Sequence, residues 1–400
     1  MTRRRAEPSA ELRLVAACCR WPIDVAAIRA AAAMPLDWPR VVALTRRHRV
    51  TGFVHLGLAA AGLAAPPGLA VRYQRVVQRN MLHCAEATRI AARLGEAGIA
   101  AVFLKGVALA ELAYGDLGVK QVVDNDLLVA PADVAATIVA LQEAGYALYS
   151  PPEIDLSRLP LLMDFVKECE LRHRATGAVI DLHWRMHSLR GLIDEPAIAD
   201  IARPVTIGGK PVPTLTGEPL MIYLAIHGAR HCWSRLKWLA DFNALLAPMR
   251  DDAVSALRRR ARAEGVGPCL DSALAQAGRL LGARVPDDVT ATARVRMLVA
   301  LSDRLLFGAG EAAQQTDAPG RYMRTITLSA IAMKSRPGYL AKLAWDMWVA
   351  PGDALAVPLP KPLRPLYLII SPARRMGRAA ARLTRGSRIG ARPGMPAPNG

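Results

Sequence analysis

Between Ile99 and His187 the apolar residues stop recurring at helical spacing and begin to alternate or run together. Helical spacing holds on both sides: Leu12, Val15, Ala16 and Cys19 near the start, and "EPLMIYLAIHGARHCWSRLKWLADFNALLAPM" from Glu218 onward. This change of period confines a sheet to the middle of the chain. The run "IAAVFL" (99–104) predicts a buried strand, and Lys105-Gly106 turns it into a short helix ending near Tyr114. "QVVDNDLLV" (121–129) predicts a second strand, Pro131-Ala132-Asp133 opens a helix to about Ala144, and "YALY" is a further short strand. "VKECELRHRATGAVIDLHWRMH" (166–187) reads as a hairpin around Gly177. The expected fold class is α+β, a small mixed sheet flanked by N-terminal and C-terminal helical regions. The expected divisions are 1–94, 95–215, 216–348, and a proline-rich, basic tail at 349–400 with a short helix over 374–386.

Upstream, residues 9–34 predict one helix, and Asp37 predicts the N-cap of another, with Pro39 in its first turn. A long helix after Pro66-Pro67 stops at Gly98. The six cysteines form no C-x-x-C pair, which argues against a zinc ribbon or a disulfide framework and for a reduced, cytoplasmic setting. No apolar run approaches the roughly 18–20 residues of a membrane span. Net charge is +18, and nine of the basic residues fall from Lys361 onward with no acid among them. Such a tail suits an anionic membrane surface at the inner membrane face, nucleic acid, or simple solvation.

The informative stretch is Asp124-Asn125-Asp126. In a strand, alternate residues face the same way, so the two carboxylates share a side. They repel, and a divalent cation is the usual compensation. Asp181, between Ile180 and Leu182 in "VIDLHW", supplies a third oxygen donor if its strand lies alongside. Such a site can hold Mg²⁺ or Mn²⁺ with the phosphates of a nucleotide. Lys105 would place a point charge on those phosphates. Gly106 lets the backbone approach them, and the helix that follows turns free N–H groups toward them.

These segments, in this order with "AIHGARHCWSRLKWLADFNALL" downstream, resemble the uncharacterised nucleotidyltransferases of the polymerase-beta-like superfamily. The resemblance implies transfer of a nucleoside monophosphate from an NTP to a hydroxyl-bearing acceptor: a small molecule, saccharide, peptide or protein. It also implies Asp124, Asp126 and Asp181 as metal carboxylates, with Lys105 and Gly106 at the phosphate turn, and a biosynthetic enzyme as a candidate partner. Lys120 stands where the family usually has Arg, keeping the charge but losing the planar fork, and Asn125 stands where it usually has an apolar residue.

His183, His227, His231, Lys237 and Asp241 are accessory candidates. Asp241 lies four residues from Lys237, a spacing that pairs charges on a helix. The histidine pairs His183/His187 and His227/His231 also stand four apart, but "HGARH" lacks the glutamate of a zinc hydrolase. Trp184, Trp233 and Trp238 are expected in the core or at a domain seam. No P-loop or dinucleotide fingerprint is present. The rival expectation is a non-catalytic binding protein of the same fold, in which Asn125 and Lys120 have replaced working residues.

Overall fold

The computed structural model describes residues 7–150, 156–307, 319–334 and 336–389. Seven strands form one mixed sheet: β1 (Ala101–Phe103), β2 (Asn125–Val129), β3 (Tyr146–Ser150), β4 (Glu168–His173), β5 (Val179–His183), β6 (Ala202–Ile207) and β7 (Lys210–Leu215). Their order across the sheet is β3-β4-β5-β2-β1-β7-β6. The fold is thus α+β, as the change of period predicts. β1 runs antiparallel to β2 with Phe103 opposite Leu127, and β2 runs parallel to β5 with Asp126 opposite Asp181. β5 pairs antiparallel with β4, which puts Glu170 opposite Asp181 and Glu168 opposite His183.

The sheet is covered on both faces. Phe103, Leu127, Val129, Ile180 and Leu182 belong to one apolar cluster with Ile90 and Leu94 of helix Leu69–Glu96 and with Ile138 and Leu141 of helix Val134–Glu143. Val102, Leu104 and Leu128 join a larger cluster that includes Leu220, Tyr223 and Leu224 of helix Gly217–Arg230. Full burial of each such side chain contributes about 1.5–3 kcal/mol. All five residues of β2 are consequently buried, Asp126 among them at 4% exposure.

The β6–β7 hairpin is an element that the hydrophobic pattern does not announce. Pro204 lies in β6, and Pro211 and Pro213 lie in β7, and proline inside a run argues against a strand. The hairpin forms because β6 is an edge strand and β7 meets β1 only at Phe103–Thr214. Its two-residue turn needs positive φ at both positions, and Gly208 (54°) and Gly209 (78°) supply it.

Helices fill the remainder. The helix expected over 9–34 is two, Ala10–Cys18 and Val25–Ala32. Asp37 caps helix Trp38–His48 by accepting from the Arg40 N–H at 3.3 Å, as predicted. Beyond the sheet, helices Gly217–Arg230, Leu236–Leu246, Asp251–Ala263, Gly267–Leu281, Ala293–Leu306, Pro319–Met333 and Pro337–Trp348 follow one another. Among the described residues no helix is long and apolar enough to cross a membrane.

The segment read as a tail is partly anchored. Helix Tyr367–Ile389 replaces the shorter one expected, and its buried Tyr367 hydroxyl donates to the Val357 carbonyl at 2.8 Å. Buried Asp353 accepts from Arg374 at 3.0 Å and Arg378 at 2.5 Å, so two of the predicted tail arginines are tied to one internal carboxylate. Residues 390–400 of that segment lie outside the described residues.

Candidate active site

Everything the sequence singles out converges on the edge where β1 and β2 meet. The chain leaves β1 through Leu104, whose N–H donates to the Asp126 carbonyl at 2.9 Å, and turns at Lys105-Gly106 into helix Gly106–Tyr114. Gly106 has φ of 69°, and a Cβ there would stand 2.8 Å from Asn125 Oδ1 and 3.1 Å from the Asp124 carbonyl. Any other residue would push the turn off β2.

The loop that enters β2 is held from beneath by a residue the sequence reading missed. Buried Asn80, on helix Leu69–Glu96, donates to the Lys120 carbonyl at 2.7 Å and accepts from the Val122 N–H at 3.1 Å. Asn125 is tied to the same helix through its amide N–H, which donates to the His83 carbonyl at 3.2 Å, while its buried Oδ1 has no hydrogen-bond partner. It faces away from the carboxylates of the neighbouring positions, as strand alternation requires.

Asp126 and Asp181 are register partners on adjacent parallel strands, and the alternation of β4 brings Glu168 and Glu170 onto the same face. The last two could have been read from "KECELRH", where glutamates alternate with core residues. Asp126 Oδ1 lies 3.0 Å from Lys105 Nζ and 3.3 Å from His183 Nε2, while its buried Oδ2 has no hydrogen-bond partner. Burial alone would raise the Asp126 carboxyl, but Lys105 and His183 outweigh it and hold the group well below the usual carboxylate range. Asp181 goes the other way. Burial, and then the negative charges of Asp126, Asp124 and Glu168, push it up to about 8. Burial would raise the Glu168 carboxyl, but His183 and Lys167 hold it below its ordinary value, so it stays ionised.

The carboxylates form the floor of a cleft of about 550 Å³. Its opposite wall comes from helices Gly217–Arg230 and Leu236–Leu246, which present Tyr223, His227, His231, Lys237 and Trp238. The rings make a chain: Tyr223 to His227 at 6.2 Å, His227 to His231 at 4.8 Å, and Trp238 at 5.3 and 5.1 Å from the two imidazoles. Burial holds His227 far below its ordinary value and His231 at about 3, with Lys105 adding to the effect, so both are neutral. Trp184 and Trp233 are core residues as expected, whereas half-buried Trp238 faces the cleft.

Two non-glycine residues with left-handed backbone, Cys232 (φ 50°) and Trp233 (φ 46°), make the turn between the wall helices, and a third, Arg49 (φ 55°), lines the cleft. Such strain costs on the order of 1–3 kcal/mol per residue and clusters at functional sites.

Two predicted lysines are already engaged. Lys105 bonds Asp126 and stands 5.7 Å above the Tyr223 ring. Lys120 lines the cleft, but its ammonium forms a buried ion pair with Asp241, which also accepts from the Tyr114 hydroxyl at 2.8 Å. Asp241 therefore pairs with Lys120, not with Lys237 as helical spacing suggested. His183 ends β5 and His187 lies beyond it, so that pair is not a helical clamp.

The donors fit a hard divalent cation. They are carboxylate oxygens, one buried and without a partner, and they crowd one another enough to keep a proton on Asp181. Among the described residues no three Asp, Glu, His or Cys side chains form a ready-made cage, since Lys105 sits on Asp126. A family model described as an uncharacterised nucleotidyltransferase matches residues 34–282. Among curated proteins none matches the chain.

Proposed function

The chain belongs to the uncharacterised nucleotidyltransferase family, and from that premise we propose that it moves a nucleoside monophosphate from an NTP to a hydroxyl-bearing acceptor. The observation that carries this reading is the register of Asp126 with Asp181 on adjacent parallel strands at the floor of the cleft. Asp124, Asp126 and Asp181 would hold a divalent cation, Mg²⁺ or Mn²⁺, which would neutralise phosphate charge and acidify the acceptor hydroxyl. Gly106 and the first turn of its helix receive the phosphates on backbone N–H groups, which favour an anion there. With a cation on Asp126, Lys105 would be free to turn its ammonium to the same phosphates. With a cation bound beside it, Asp181 would give up the proton that crowding leaves on it and, as a carboxylate, would take the acceptor's hydroxyl proton while that oxygen bonds to the α-phosphorus and pyrophosphate leaves.

The second reading, a non-catalytic protein that uses its basic tail on a membrane, nucleic acid or partner enzyme, draws on the Lys105–Asp126 ion pair, which fills the metal position with an ammonium.

Transfer of α-labelled ATP, GTP, CTP or UTP onto cell extract separates the two. The expected result is cation-dependent labelling that falls about 10²–10³-fold in Asp126→Ala, the range of losses seen when a preorganised electrostatic group is removed. Absence of label with all four nucleotides and both cations would support the binding protein.

A further inference from the structure

Six cationic side chains line the cleft, and four of them are already engaged. Lys105 is held by Asp126, Lys120 by Asp241, Lys167 by Glu168, and Arg230 reaches the Ile326 carbonyl at 3.4 Å. The other two, Arg49 and Lys237, have no ion pair or hydrogen bond among the described residues. We propose that Arg49 and Lys237 form a subsite for an oligophosphate, the terminal phosphates of the NTP or the pyrophosphate released from it. This inference rests on the nucleotidyl-transfer reading and adds, for the far end of the phosphate chain, two cations beyond the Lys105-Gly106 turn.

Lys237 is only 9% exposed and lines the cleft, where an ammonium with no ion pair is costly to desolvate unless a ligand supplies the counter-charge. It sits in the first turn of the eleven-residue helix Leu236–Leu246, whose N-terminus carries no side-chain cap. Arg49 follows helix Trp38–His48 in a left-handed conformation that arginine adopts only at a cost. The two are fixed relative to each other by their neighbours. The Leu236 N–H donates to Nδ1 of fully buried His48 at 3.2 Å, so residues 48–49 and 236–237 are joined directly. Burial, then Lys120 and more weakly Arg49, hold the Lys237 ammonium down to about 7, against the pull of Asp124 and Asp241. Two like charges pinned toward one cavity are relieved by a polyanion that spans them, and a multiply charged phosphate chain matches that need. The subsite unites the N-terminal helical layer with the C-terminal one across the sheet.

The test is direct binding by the full chain of pyrophosphate, and of ATP against AMP, in wild type, Lys237→Met, Lys237→Arg and Arg49→Gly. Lys237→Met removes an unpartnered charge, and Arg49→Gly relaxes a left-handed residue, so both variants should fold, with unchanged or higher Tm. The expected result is that wild type binds ATP at least 30-fold more tightly than AMP. Both charge-removing variants should reduce that ratio to about 3-fold or less and weaken pyrophosphate at least 10-fold, leaving AMP unchanged. Lys237→Arg should retain most of the affinity. An unchanged ATP-to-AMP ratio and unchanged pyrophosphate affinity in folded Lys237→Met and Arg49→Gly would overturn the subsite. So would the absence of pyrophosphate and ATP binding in wild type. Charge-dependent pyrophosphate binding without nucleotide transfer would support the subsite while sinking the transfer reading.

Discussion

The floor of the cleft and its helical wall carry opposite electrostatic problems. On the floor, acids are crowded and cations are built in beside them: Lys105 on Asp126, Lys167 on Glu168, His183 between both. On the wall, rings and neutral imidazoles surround Lys237, and Arg49 faces the same space with no acid attached. The floor is self-compensated in part, with Asp181 and the free Asp126 oxygen left without a cation. On the wall, Lys237 has no ion pair and feels acid only through the weaker fields of Asp124 and Asp241. A surface that offers carboxylates on one side and unpaired ammonium and guanidinium groups on the other suits a metal-bound polyphosphate better than either ligand alone. The lesson is that a lysine's chemistry is read from its partner: Lys105, Lys120 and Lys237 border one cleft, and only the last is uncommitted.

The sharpest way to break this comparison is to exchange the lysines. Lys120→Met leaves Asp241 buried with the Tyr114 hydroxyl as its remaining partner, and should cost about 3–5 kcal/mol in chemical denaturation. Lys237→Met should cost nothing under the same conditions. Equal losses at the two positions would erase the distinction drawn between them.

A smaller effect should appear at Asp181, with opposite sign. Its folded-state value of about 8 lies above the ordinary carboxylate value of about 3.9. Between those pH values the folded chain keeps a proton that the unfolded chain has released, so stability falls as pH rises from about 4 to about 8. Asp181→Asn removes that dependence. Partial screening reduces the full shift, so at pH 8 without divalent cation the variant should be more stable by about 2 kcal/mol. At pH 4 the two should be equal. Thermal unfolding across this range checks it, and a variant less stable at pH 8 would show that Asp181 is not crowded.

How much of this was legible in the sequence follows from which forces act locally. The β1 turn, β2 and the β4–β5 hairpin were visible because each carries its own alternation and its own glycine. The pairing of β2 with β5 was only a supposition, since a parallel neighbour more than 50 residues away leaves no local trace. β6 and β7 were hidden by Pro204, Pro211 and Pro213, which the edge position tolerates. Asn80 looked like one polar residue on a long amphipathic helix, although it holds the loop that aims Asp124 and Asp126. Arg49 was beyond reach altogether: nothing near "RRHRV" signals a cleft assembled from residues that begin at Lys105 and run to Ile326. Asp241 misled because helical spacing favoured Lys237, while burial favoured the lysine from the loop before β2.

The claim on which the account rests is that the side chains at 126 and 181 share one divalent cation. Mn²⁺ titration followed by electron paramagnetic resonance, in the presence of a non-hydrolysable NTP, tests it directly. The account predicts stoichiometric Mn²⁺ binding in wild type that weakens at least tenfold in Asp126→Asn and in Asp181→Asn alike. Binding unchanged in both variants, with both still folded, would contradict it.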